Sequence, residues 1–96
     1  MNKRNANYAL IKLMEEAGEM IQLCSKVIYY GIDNVSPKGG NTHTNRDKLI
    51  EEMGDVLALM KIIVNDTDLD ISMADVKKRR DEKYIKLEGY IPEAEC

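Results

Sequence analysis

The chain has 96 residues, of which 44% are hydrophobic, 32% charged and only 5% aromatic. Its 14 Lys+Arg against 17 Asp+Glu leave a net charge of −3, which argues against a protein that coats nucleic acid. A chain of this length buries only about two thirds of the surface its unfolded form exposes, so a disulfide, a metal or a partner chain is needed to reinforce it.

Disulfides are not expected. Cys24 lies inside an apolar helical pattern and reads as core, while Cys96 ends the chain; this is the usage of an intracellular protein with reduced thiols. No apolar run approaches the roughly 20 residues of a bilayer span. Behind the basic start at Lys3-Arg4, the residues Lys12, Glu15, Glu16 and Glu19 interrupt the apolar pattern, which is incompatible with a signal peptide. The expectation is a cytoplasmic protein of one domain, residues 1–96, that uses neither membrane nor nucleic acid as a partner.

Proline occurs only at 37 and 92, and no segment alternates polar and apolar residues, so the chain is all-α. The first helix is predicted from about Asn7 to Tyr30, closed by Gly31 in a left-handed cap. Residues 32–44 form a polar loop. Its Gly39-Gly40 is not followed by Lys-Ser/Thr and makes no P-loop, and His43 has no Cys or His neighbour for a zinc site. Thr44 or Asn45 caps a second helix ending near Asn65. An acidic turn over 66–70 follows, and Ser72 with Asp75 opens a third helix that reaches Glu88. Gly89 stands after it, and 90–96 is a tail. The architecture expected is a helical bundle of two long antiparallel helices plus a third, completed by oligomerisation. Leu49, Ile50, Met53, Val56, Leu57, Leu59, Met60, Ile63 and Val64 cover about half of the second helix, and Ile62 adds apolar surface on the opposite side, more than three helices hide.

The first two helices repeat each other at an offset of 36. Lys12-Leu13-Met14-Glu15-Glu16-Ala17-Gly18-Glu19-Met20 lies against Lys48-Leu49-Ile50-Glu51-Glu52-Met53-Gly54-Asp55-Val56, and the match runs on through Leu23 with Leu59 and Val27 with Ile63. At about 100° per residue, Leu13, Ala17, Met20, Ile21, Leu23, Cys24 and Val27 form an apolar arc of roughly 160°. Glu16 lies within that arc, Glu19 at its edge, and Glu15 points further out. Glu52, Asp55 and Glu51 take the equivalent places on the second helix. One acidic pair on a helix is ordinarily a solvated face, and Lys48 is spaced to pair with Glu52. Four inward carboxylates are different. Each close pair repels by about 4 kcal/mol at an effective dielectric of about 20, whereas a surface ion pair returns about 0.3–0.5 kcal/mol. Such a cluster needs protons or hard divalent cations, and Mg²⁺ suits all-oxygen ligands.

The pattern Glu15-Glu16-x-x-Glu19 followed by Glu52-x-x-Asp55 resembles the EExxE…ExxD signature of the all-α nucleoside triphosphate pyrophosphohydrolases, the MazG-like superfamily. The segment from Asn45 to Val56 is similar to the small versions carried by phages and bacteria. The resemblance implies that Glu16, Glu19, Glu52 and Asp55 ligate Mg²⁺, with Mn²⁺ able to substitute. It implies catalytic roles for Glu15, Glu16 and Glu52, Glu15 acting from the outer shell or orienting water. The implied reaction cleaves an NTP or dNTP between its α- and β-phosphates, releasing a monophosphate and pyrophosphate, in a homodimer or homotetramer. Where many relatives carry a Lys/Asn/Arg run, this chain has Lys77-Lys78-Arg79-Arg80-Asp81-Glu82-Lys83-Tyr84; Arg80, Lys83 and Tyr84 are its candidates for substrate contact. Tyr29, Tyr30 and Tyr90 read as packing residues near helix ends. The competing reading is a non-enzymatic metal-binding helical module for oligomerisation or regulation.

Overall fold

A computed structural model of the chain describes residues 3–35 and 42–94. Gly39-Gly40 and Cys96 lie outside the described residues. Three helices make up the fold: α1 (Ala6–Tyr30), α2 (Asn45–Asp66) and α3 (Met73–Tyr90). Each begins where a short polar side chain satisfies a free N–H of the first turn. Asn5 Oδ1 accepts from the Tyr8 N–H at 2.8 Å. Thr44 and Asp47 exchange reciprocal bonds of 3.1 and 3.2 Å in a capping box. Ser72 accepts from the Asp75 N–H.

The helix ends depart from expectation in two places. Gly31 has φ 94° but ψ 158°, an extended backbone open to glycine rather than the left-handed helical cap; its N–H still donates to Val27 O. α3 runs through Gly89 to Tyr90, because the Ile91 N–H closes the last turn on Leu87 O at 2.8 Å.

α1 and α2 form an antiparallel hairpin stitched at both ends. At the loop end the Asn45 side chain, itself buried, donates to Gly31 O at 2.9 Å, and the Asn45 and Arg46 N–H groups donate to Asn34 O and Ile32 O. A forked pair from Arg46 to Asp33 and an isolated bridge between Val35 and Thr44 complete the join. At the far end the Arg4 N–H donates to Asp66 O at 2.6 Å. Between these ends Ala9 and Leu23 of α1 and Ile63 of α2 are the buried apolar residues.

This core is thin. The chain exposes 8133 Å², against about 5,600 Å² for a compact monomer of its mass, and its radius of gyration is 16.6 Å where about 12.5 Å is usual. Two features contribute to the excess. α3 has no buried residue and projects from the hairpin, so the bundle foreseen for three helices is not closed within one chain. On the hairpin, Leu10, Met14, Ala17, Ile21, Cys24 and Ile28 succeed one another at heptad spacing along α1 and are all exposed; Ile50, Met53, Leu57 and Met60 do the same on α2. Cys24 is therefore a surface residue and not core. Tyr29, Tyr30 and Tyr90 also project into solvent instead of finishing the packing. No helix among the described residues is long and apolar enough to cross a membrane.

Candidate active site

On the face of the hairpin away from that seam, a second stripe runs along each helix. Tyr8, Lys12, Glu16, Glu19, Leu23 and Lys26 follow at steps of three and four residues on α1, and Lys48, Glu52, Asp55, Leu59 and Ile62 on α2. The 36-residue repeat makes the two stripes equivalent, and antiparallel packing brings their middles together. There Glu16, Glu52 and Asp55 each offer a carboxylate oxygen to a set lying within 4.8 Å.

One oxygen of each of two of these carboxylates, Glu16 Oε2 and Glu52 Oε1, is buried without a hydrogen-bond partner among the described residues. A buried carboxylate without a donor is costly. The strain registers in Glu52, whose pKa rises from an ordinary 4.5 to about 7. The main cause is the hydrogen bond to Glu16 that only a protonated carboxyl makes, followed by desolvation and the negative charges of Glu16, Glu19 and Asp55. Because the folded state holds this proton more tightly than the unfolded chain does, the metal-free protein should lose stability as pH rises from about 4.5 through about 7. Thermal melts in EDTA should show that decline. Glu52→Gln should abolish most of it and melt at the same or a higher temperature near neutral pH. A mutant clearly less stable than the parent in EDTA would make Glu52 a structural ion-pair partner instead.

The donor set fits a hard divalent cation. All three groups are carboxylates, the hard oxygen donors that such a cation prefers, and one oxygen from each lies within 4.8 Å of the others. Glu19 stands outside this set but acts on Glu52 through its charge and lines the adjoining groove.

The remaining predicted residues lie elsewhere. Glu15 turns outward and bonds Lys12 Nζ at 3.2 Å, which holds that ammonium charged above its usual range. Glu51, placed on the outside by the sequence, faces His43 Nε2 at 3.5 Å. Arg80 pairs with its neighbour Asp81 at 2.9 Å, and Lys83 and Tyr84 are exposed on the projecting α3, so none of the three joins the acidic group within one chain.

Sequence reasoning missed Lys26 and Tyr8, and weighed Lys48 only as a partner for Glu52. Lys26 and Lys48 border a groove of about 230 Å³ beside Glu19 and Glu52, and neither makes an ion pair among the described residues. The signal was present in the spacing: Lys26 is two turns beyond Glu19, and Lys48 one turn before Glu52.

Fold and site together define a helical protein whose paired carboxylates form a candidate seat for a divalent cation. Residues 5–88 match the MazG nucleotide pyrophosphohydrolase domain, and the chain belongs to that family. It is also 35% identical to the uncharacterized protein YvdC of Bacillus subtilis (strain 168) over 74 residues, covering 77% of this chain and 67% of that protein. No solved structure matches it.

Proposed function

We propose that the chain is a Mg²⁺-dependent nucleoside triphosphate pyrophosphohydrolase that hydrolyses an NTP or dNTP between the α- and β-phosphates. The observation that carries this reading is the pair of buried, unpartnered oxygens of Glu16 and Glu52, set in a chain of the MazG family. Glu16, Glu52 and Asp55 would hold the cation, with Glu19 at the rim as a further ligand; Mn²⁺, equally at home among carboxylates, would substitute. A cation bound there neutralises phosphate oxygens and lowers the pKa of a coordinated water.

The chain's own residues do the rest. Glu52, whose affinity for a proton is raised chiefly by its hydrogen bond to Glu16, would accept the proton of the attacking water. Lys26 and Lys48, which make no ion pair among the described residues, would offer their ammonium groups to the phosphates from the groove they share with Glu19, Glu51 and Glu52. Oxygen from water bonds to the α-phosphorus as the bridging α–β bond breaks, and pyrophosphate leaves. Glu15 contributes by anchoring Lys12. Arg80, Lys83 and Tyr84 contact substrate only if the α3 of another copy supplies them.

The exposed heptad seam supports assembly as a homodimer or homotetramer, which leaves the acidic groove on the opposite face open. ³¹P NMR of the products with Mg²⁺ tests the reaction: monophosphate and pyrophosphate are expected from the first time points. Diphosphate with orthophosphate would identify a γ-phosphatase. Absence of turnover with any common nucleotide, together with chelator-induced dissociation, would favour the metal-held oligomerisation module.

A further inference from the structure

Two open faces of the chain match each other in charge and in length. On α3, Met73, Val76, Arg80, Lys83, Leu87 and Tyr90 follow at steps of three and four residues and share about 100° of the helix circumference. The stripe has apolar ends and a cationic middle. Met73 and Val76 are half-buried at the helix start, and the other four side chains are exposed. The four acids of α3, Asp75, Asp81, Glu82 and Glu88, stand outside the stripe. Asp81 does reach Arg80 at 2.9 Å, but in an exposed pair of little worth.

The hairpin groove carries the reverse pattern. Leu23 lines it at one end beside Lys26 and Lys48. Leu59 lines the adjoining cavity of about 290 Å³ at the other, with Tyr8, Ile62, Arg4 and Lys12 around it. Between the leucines stand Glu16, Glu19, Glu52 and Asp55, with Glu51 at the edge. These carboxylates outnumber the ammonium groups of Lys26 and Lys48, and Lys12 is already matched by Glu15 at 3.2 Å. The lengths agree as well. With Glu16 and Asp55 side by side, Leu23 and Leu59 are seven residues away on α1 and four on α2, which makes about 16 Å of helix at about 1.5 Å per residue. Val76 and Leu87, eleven residues apart on α3, span the same distance. The charges lie midway on both faces, so either direction of the helix brings them together.

We infer that α3 of a second copy lies across the acidic groove with its Arg80 and Lys83 over the carboxylates, so that two chains complete each site. Charge complementarity selects this occupant. α3 carries six Lys+Arg against four Asp+Glu, with every acid off the stripe, whereas a second groove would set carboxylates against carboxylates. Within its own chain α3 buries none of its described residues. One helical stripe is smaller than the roughly 1,000 Å² that a stable interface needs, so the heptad seam gathers the copies and the α3 contact forms within that assembly. The contact stands without the hydrolase reading; its effect on turnover rests on that reading.

The test uses the full chain with Cys24 and Cys96 replaced by serine. Chains carrying Glu19→Cys and chains carrying Lys83→Cys are refolded together in EDTA and treated with a short bismaleimide. Mass spectrometry of the joined peptides should show positions 19 and 83 linked. Lys78→Cys, on the opposite side of α3, should link to position 19 at least about tenfold less. Ile21→Glu with Leu57→Glu should abolish the link. Equal linking from 78 and 83, or none from either, would overturn the contact. In a second arm, Glu16→Gln is refolded with an equal amount of the double variant Arg80→Ala, Lys83→Ala. Each alone should release pyrophosphate at least about tenfold more slowly than the parent. The mixture should regain about a quarter of the parental rate, because half of the sites keep their acids and half of those meet an intact α3. A mixture no faster than its components, from a parent that turns over nucleotides, would overturn the shared site and leave the hydrolase reading in place. Linking at 83 but not at 78 in a protein that hydrolyses nothing would uphold the contact and remove the hydrolase reading.

Discussion

Glu16→Gln, Glu52→Gln and Asp55→Asn are each expected to cut pyrophosphate release at least about a hundredfold, and Glu19→Gln similarly, through loss of a bound cation or its alignment. The amides keep the size and shape of the acids, so the helices should form as before and the effect should be chemical. Glu51→Gln, whose carboxylate borders the groove but faces His43 at 3.5 Å and stands outside the three clustered carboxylates, should cost less than about tenfold. Glu15→Gln frees Lys12 but leaves the three clustered carboxylates intact, so its loss should also be small. A loss as deep as that of Glu16→Gln would instead place Glu15 in the chemistry. Initial rates should be measured alongside Mn²⁺ binding by electron paramagnetic resonance, which reports the site independently of turnover. Four substitutions that spared both signals would remove the acidic group from the mechanism.

Ile21→Glu with Leu57→Glu should convert the protein into a monomer of 10.9 kDa and lower its melting temperature sharply. The two side chains are 72% and 65% exposed in the single chain and sit mid-way along the two heptad stripes. The surplus of about 2,500 Å² over a compact monomer is of the size that one partner loses in a large obligate interface. A charge introduced into such an interface is desolvated without a counter-ion. Light scattering at micromolar concentration should give at least twice 10.9 kDa for the parent, with or without Mg²⁺. A parent at the monomer mass would sink the proposal. The melting temperature of the parent should also rise with protein concentration, as it does when folding and association are linked.

The sequence alone determined the local structure, because helix formation and capping depend on residues a few positions apart. Thr44 with Asp47, Ser72 with Asp75 and the break at Gly31 place the helix boundaries within one or two residues of those observed. The repeat and its 3.6-residue period likewise put Glu16 with Glu19 and Glu52 with Asp55 on matching stripes, and set Glu15 and Glu51 outside them. Tertiary structure decided what each stripe meets. One broad apolar arc held Leu23, Val27, Ile21 and Cys24 together, and only the docking of α1 on α2 divided it, burying Leu23 and leaving Ile21 and Cys24 in solvent. The direction of α3 was also out of reach, since it leaves the hairpin through a turn with Asp70 at φ 56° and buries none of its described residues in its own chain. The raised pKa of Glu52 depends on a carboxylate 36 residues away. Periodicity specifies which residues of a helix share a face, but which face is covered, and by what charge, depends on contacts between elements distant in sequence.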